Sequence, residues 1–183
     1  FTLQGREHIP KTGPLIILAN HVSTLDAPGI TANVGRPVIY LGTAGLLGTG
    51  LKARFLGGLG GIPTNKFVSD ARAVRTLKRW VDVGAAVGVF PEGERSWDGH
   101  PLPIIPGIDK LVRLLGAPVV TARIHNADRQ WPRWAPRPRR GRVHLAFDPP
   151  VQFQRSSKPE EVLSYVRDRI SLSPEKNRRW PVR

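Results

Sequence analysis

Residues 69–96 read SDARAVRTLKRWVDVGAAVGVFPEGERS. Val74, Leu77 and Val81 recur at the spacing of one helix face, Ser69 or Asp70 can cap the start, and Gly84 stops the helix after about Val83. A short apolar run follows at once, AVGVF over 86–90, bounded by Pro91 and Gly93, which force a tight turn. A helix that feeds a buried strand, with a polar turn at the strand's far end, is the repeating unit of an α/β protein.

The same alternation extends in both directions. Strands are predicted at 15–19 (LIILA), 37–41 (PVIYL), 118–124 (PVVTARI) and 142–147 (RVHLAF). A helix is predicted near 108–115, ending at Gly116, and another from the capping box Ser157-Lys-Pro-Glu160 into Val162, Leu163, Val166 and Ile170. Residues 125–141 fit neither period and are predicted to be one long loop. With no repeat and no internal linker, the expected fold is α/β: a single domain over 1–170, a mixed, mainly parallel central sheet flanked by helices, and a basic C-terminal tail at 171–183.

Composition narrows the function classes. A chain of 183 residues with 40% hydrophobic residues is long enough to bury a proper core. It has no Cys, which removes thiol nucleophiles, thiolate zinc sites and disulfides. Nor has it any Met, so the expectation is that more sequence precedes Phe1. The 28 Lys and Arg against 14 Asp and Glu give a net charge of +14, and residues 129–183 hold 14 of those 28 bases with only five acids. Such a surface attracts polyanions: anionic lipid headgroups, phosphorylated or acidic partners, or nucleic acid. No apolar run approaches the roughly 20 residues that span a bilayer, so membrane contact through these residues is expected to be peripheral, with an upstream segment as a further anchor.

Two segments carry chemistry. Strand 15–19 runs into Asn20-His21, and Asp26 follows five residues after the histidine. An imidazole beside a carboxylate is the arrangement of a general base: the ring takes a proton from an attacking hydroxyl while the carboxylate fixes its tautomer. On a regular helix five residues turn through about 500°, leaving the two side chains about 140° apart. The pair therefore meets only across an irregular strand-to-helix turn, which Pro28 favours; otherwise His21 merely ends a strand and Asp26 caps a helix. The second segment, Phe90-Pro-Glu-Gly-Glu-Arg-Ser96, leaves strand 86–90 at the end where α/β sheets place ligands. Arg95 suits a phosphate, through two parallel charge-assisted hydrogen bonds. The alternative is a polar turn held by a Glu92–Arg95 pair.

Taken together, in this order and at this spacing, the two segments resemble the marker blocks of the glycerophospholipid acyltransferase family, which includes the lysophosphatidic acid acyltransferases. Asn20-His21-Val-Ser-Thr-Leu-Asp26 fits the first block completely, and 90–96 fits the second except at Glu94, where Thr is usual. A third block falls at Gly61-Ile-Pro-Thr-Asn-Lys66 with Lys66 in place of Arg, and a fourth at Ala117-Pro-Val-Val-Thr-Ala122 with Thr121 in place of Pro. The resemblance covers about residues 3–150 and implies that 1–170 is an acyltransferase domain. By that resemblance His21 is the base and Asp26 its orienter, both catalytic. Arg95 and Lys66 hold the acceptor phosphate, Glu92 orients the site or the acceptor, and Gly93 belongs to the substrate-binding turn. The implied reaction moves a fatty acyl group from acyl-CoA or acyl carrier protein to a lysophospholipid hydroxyl, with 1-acylglycerol-3-phosphate giving phosphatidic acid. A phospholipid transacylase, an acyltransferase with another acceptor and, outside the class, a basic nucleic-acid-binding module are the alternatives. The substrate hydroxyl attacks directly, so no enzyme nucleophile is needed, and Ser23 and Ser96 read as turn or capping residues.

The remaining features do not alter this reading. Gly42-Thr-Ala-Gly45-Leu-Leu-Gly48-Thr-Gly50 imitates a dinucleotide loop, but Asp70, 20 residues on, opens a helix and is badly placed for a ribose. His8, His100, His125 and His144 have no ligand spacing, so no metal and no cofactor are expected. Residues 128–142 set Trp131 and Trp134 among six arginines. That loop either docks on an anionic membrane surface, meets an acidic carrier protein or nucleic acid, or is a solvated basic loop whose indoles pack on the body. The expected partners are an anionic membrane surface, a phosphorylated lipid acceptor and the acyl donor, with no nucleic acid. The expected location is the cytoplasmic face of a membrane.

Overall fold

The computed structural model describes residues 1–43, 61–64 and 71–171. Its strands are β1 (Thr2–Gln4), β2 (Leu15–Ala19), β3 (Val38–Thr43), β4 (Gly61–Thr64), β5 (Ala86–Val89), β6 (Val119–His125) and β7 (His144–Phe147). Its helices of four residues or more are α1 (Asp26–Val34), α2 (Ala71–Asp82), α3 (Ile108–Leu115), α4 (Ala127–Gln130) and α5 (Pro159–Ile170). The strands form one seven-stranded sheet in the order β1-β7-β6-β2-β5-β3-β4. β6, β2, β5, β3 and β4 are mutually parallel; β7 runs antiparallel to β6, and β1 runs parallel to β7.

Residue chemistry explains the layering. Every residue of LIILA in β2 and AVGV in β5 is buried, as expected of central parallel strands covered on both faces. Alternate residues enter separate cores. Ile16, Leu18, Ile39, Val87 and Val119 pack under α2, α3 and α5, while Leu15, Ile17, Val38, Tyr40 and Val120 pack under α1. Each fully buried aliphatic side chain contributes about 1.5–3 kcal/mol.

The predicted helices near 70–83 and at 108–115 and the five predicted strands are present, with ends shifted by one or two residues. Ala73, rather than Val74, joins Leu77 and Val81 in the buried stripe of α2. The proposed caps Ser69 and Asp70 lie outside the described residues, as do residues 44–50 of the Gly-rich segment and residues 172–183 of the tail. The capping box at 157–160 does not form. Lys158 is the N-cap without a side-chain bond, and the Ser157 hydroxyl instead accepts the Gln154 N–H at 3.0 Å. Pro159 does open α5, where its missing N–H costs nothing. The segment 125–141 is not one unbroken loop: His125 ends β6 and α4 makes a single turn. Edge strands β1 and β4 escaped sequence reading because three or four residues show no period, and α1, expected only as the helix after the turn at Asp26, had no predicted range because DAPGITANV has a weak apolar face.

Candidate active site

The parallel strands end at one rim, where β2 and β5 each pass into one of the two candidate site segments. Asn20 fastens the first. Its buried amide donates to the Ile124 carbonyl at 3.0 Å and accepts the Ile124 N–H at 2.8 Å, so a side chain continues the β2–β6 pairing beyond Ala19 and Ala122. Residues 20–25 are not helical, and Asp26 is the first residue of α1. The angular objection to a His21–Asp26 pair therefore disappears, since the two side chains do not share a helix.

Asp26 is fully buried and its Oδ2 accepts three hydrogen bonds: His21 Nδ1 at 2.8 Å, Val22 N at 2.7 Å and Ser23 N at 2.7 Å. An ionised carboxylate only accepts, so Nδ1 carries the proton and Nε2 offers a lone pair. The His21 side chain is 20% exposed while that of Asp26 is 0% exposed, which leaves the imidazole accessible and its carboxylate sealed. Phe90 stacks on the imidazole, ring centroids 3.9 Å apart and planes inclined by 13°.

The second segment grips the backbone of the first. Glu92 Oε1 accepts the His21 N–H at 3.1 Å and Oε2 accepts the Leu102 N–H at 3.0 Å. Ser96 N donates to the His21 carbonyl at 2.9 Å. Both backbone groups of His21 are thus held from 91–96. Burial pushes the Glu92 carboxyl up to about 7, against the two backbone donors, with Asp26 nearby adding to the rise. Gly93 turns the chain at φ +72°, a left-handed conformation costly for other residues, and a Cβ there would press Ile105 Cγ2 at 3.0 Å. Glu92 and Arg95 go to separate partners, because Arg95 Nη1 donates to Thr24 Oγ1 in the turn between His21 and Asp26. Desolvation, then the neighbouring Arg133, hold the Arg95 guanidinium below its usual value, while Asp26 opposes the shift. The structure therefore brings together His21, Asp26, Glu92, Gly93 and Arg95; Lys66 lies outside the described residues.

Ser23 and Ser96 act as turn residues. The Ser23 hydroxyl donates to the Trp131 carbonyl at 2.7 Å and accepts the Leu25 N–H at 3.1 Å, while Ser96 Oγ accepts the Gly99 N–H at 3.0 Å. Of the three departures from the marker blocks, Lys66 lies outside the described residues and the other two have partners. Glu94 meets Arg133 at 3.0 Å, and Arg133 also donates to the Arg95 carbonyl at 3.1 Å and lies 4.5 Å over the Trp97 ring. Thr121 donates to Asp148, which also pairs with Arg123 at 2.9 Å.

The basic loop abuts the site through Trp131, whose half-buried indole donates to Ala135 O at 3.0 Å. In and beside this loop Trp134 and, unforeseen, Trp97 turn outward, exposed by 56% and 61%. A groove of about 400 Å³ between them is lined in part by Val22, the residue after His21. Sequence reading gave no role to Asn20, Phe90, Tyr40 or Trp97; Asn20 and Phe90 stood inside the quoted blocks, whereas Tyr40 and Trp97 carried no signal.

Comparisons with known proteins bear on the family and the fold. The model of the Acyltransferase family matches residues 1–125. A chloroplastic 1-acyl-sn-glycerol-3-phosphate acyltransferase of Brassica napus is 30% identical over 123 residues, 64% of this chain and 35% of its own length. The alpha 1-acyl-sn-glycerol-3-phosphate acyltransferase of Ovis aries is 28% identical over 181 residues, 93% of this chain and 60% of its own. The chain thus spans between about a third and three fifths of these curated relatives. The crystal structure of the 1-acyl-sn-glycerophosphate acyltransferase PlsC from Thermotoga maritima superposes with a TM-score of 0.81 at 27% identity, covering 99% of this chain and 73% of that one.

Proposed function

Because the chain belongs to the Acyltransferase family, we propose that it moves a fatty acyl group from a thioester, acyl-CoA or acyl carrier protein, to the free hydroxyl of a lysophospholipid, with 1-acylglycerol-3-phosphate as the acceptor and phosphatidic acid as the product. The observation that carries this reading is the His21 Nδ1 to Asp26 Oδ2 bond of 2.8 Å, which leaves Nε2 unprotonated on an accessible ring.

The chemistry follows from that atom. Nε2 takes the proton of the acceptor hydroxyl as its oxygen attacks the thioester carbonyl, and Asp26 stabilises the imidazolium. The carbonyl electrons move onto oxygen; on collapse the C–S bond breaks and the sulfur leaves with the proton returned by the imidazolium. The products are an ester and a thiol, and no enzyme group is acylated. Arg95, fixed beside the base through Thr24, binds the acceptor phosphate, with Lys66 as its helper. Glu92 braces His21 from behind, since both its oxygens are taken by backbone N–H groups.

Among the described residues no helix is long and apolar enough to cross a membrane. The protein acts at the cytoplasmic face of an anionic membrane, which exposed Arg137, Arg139, Arg140 and Arg142 meet together with the Trp97 and Trp134 indoles. The test is thiol release from acyl-CoA with lysophosphatidic acid, other lysophospholipids or glycerol 3-phosphate. Release should depend on the acceptor and fall about 10²–10⁴-fold or more in a folded His21→Ala variant. Acceptor-independent release, or a His21→Ala variant as active as wild type, contradicts the reading.

A further inference from the structure

We propose that His21, Phe90 and Tyr40 form a column of stacked rings that sets the direction of His21 Nε2, making Phe90 and Tyr40 positioning residues for the proton transfer; this rests on the acyl-transfer reading above. The bond to Asp26 is not enough to aim the base. An imidazole has two side-chain torsions, and one distance constraint leaves one soft motion that swings Nε2 while Nδ1 stays bonded. Phe90 closes that motion on one side, its ring 3.9 Å from the imidazole and within 13° of parallel. When the base holds its proton, a cation lies on the face of a π system, which attracts it.

Phe90 is itself backed by Tyr40, ring centroids 5.8 Å apart and planes inclined by 11°. The Tyr40 hydroxyl donates to the Ala27 carbonyl at 3.2 Å and accepts the Thr31 hydroxyl at 3.2 Å. Burial holds this phenol above its usual value, so the donor is retained. Ala27 and Thr31 belong to α1, the helix that begins at Asp26. The far end of the column and the carboxylate that holds His21 are thus anchored to one rigid element, so a single helix determines both constraints on the imidazole.

Gly88 supplies an independent observation. It lies directly opposite Tyr40 in the β3–β5 register, and a Cβ there would stand 2.1 Å from Tyr40 Cε1 and 2.5 Å from Cδ1. The phenol ring occupies the space that a side chain on β5 would fill. Glycine inside a strand weakens it, and one with a ring laid over it marks a close approach that the fold maintains. Filling apolar volume explains why some large residue sits at 40; it does not explain a glycine opposite, a hydroxyl tied twice to α1, and three near-parallel rings ending on the base.

The experiment uses histidine-labelled protein, with the His21 NMR signals identified by their loss in His21→Ala. In wild type the His21 ring protons should carry the upfield ring-current shift of a stacked neighbour. Phe90→Leu should abolish that shift and lower kcat by roughly 10-fold, the scale of a slightly misplaced catalytic group, with acceptor KM unchanged. Phe90→Tyr, which keeps the ring face, should restore the shift and most of kcat. Tyr40→Leu should reduce both partially, and thermal unfolding checks that each variant is folded. A wild-type spectrum without the shift, or equal kcat in Phe90→Leu and Phe90→Tyr, overturns the column. Wild-type protein that shows the shift but transfers no acyl group to any acceptor overturns the acyl-transfer reading instead.

Discussion

Exchanging Glu92 for Gln separates the charge of the brace from its shape. The buried carboxyl is raised to about 7 from 4.5, desolvation outweighing the backbone donors of Leu102 and His21. A raised carboxyl means that the fold prefers its neutral form, so the associated stability is fully present below 4.5 and is lost as pH rises through 7. With 1.36 kcal/mol per unit, wild type should lose about 2–3 kcal/mol between about pH 5 and pH 8 from this group alone. Glu92→Gln has no such proton to lose, and every other titrating group is common to both proteins. The amide also has one acceptor for two backbone donors, which leaves either His21 N–H or Leu102 N–H facing an NH2 group and costs about 1–3 kcal/mol at any pH. Urea unfolding of both proteins at four pH values in this window measures the gap. Wild type should gain on the variant toward acid by about 2–3 kcal/mol. A gap that stays flat, or opens toward alkali, would falsify the claim that burial governs Glu92.

Three further outcomes are expected. Arg95→Lys should raise acceptor KM with little change in donor KM, because a point charge replaces a planar fork; initial-rate kinetics with each substrate varied in turn would reassign Arg95 to the donor if the effects were reversed. Replacing Arg137, Arg139 and Arg140 with Ser should weaken binding to anionic vesicles by about 3 kcal/mol at most, at about 1 kcal/mol per base, and leave turnover of a soluble acceptor intact. Co-sedimentation across a salt series that matched wild type throughout would remove the loop from the membrane contact. Gly93→Ala forces a left-handed residue and a 3.0 Å contact with Ile105, so it should cost about 1–3 kcal/mol in thermal unfolding.

The sequence revealed those parts of the protein whose physics is local. LIILA and AVGV read as strands because runs this short, bounded by turn residues, suit a covered strand better than a helix, and α2 and α3 read as helices because their apolar residues return every three or four positions and a glycine follows each. Glu92 and Arg95 were legible as candidate site residues, yet their partners were not, since a carboxylate that seeks backbone N–H groups looks the same in sequence as one that seeks an arginine. The capping box failed because a hydroxyl one position early found Gln154 instead. The pair Glu94 and Arg133, 39 residues apart, and the ring column through Tyr40 left no trace, because register across a sheet is a tertiary fact. Trp131 and Trp134 had identical local credentials, and only the path of the loop sent one indole inward and the other out.

The Asn20 amide ties His21's strand to a residue 104 positions later, and Glu92 reaches the His21 backbone across 71. These long closures carry an entropic cost that is offset only after β5 and β6 have joined β2, so they belong to the late part of folding. His21 is therefore not fully aimed in any partly folded chain, however complete its first strands and helices. In a refolding experiment, acyl transfer should return with the slowest structural phase, after helical signal has recovered. A folding intermediate could bind lipid through its basic surface, but it would not turn substrate over.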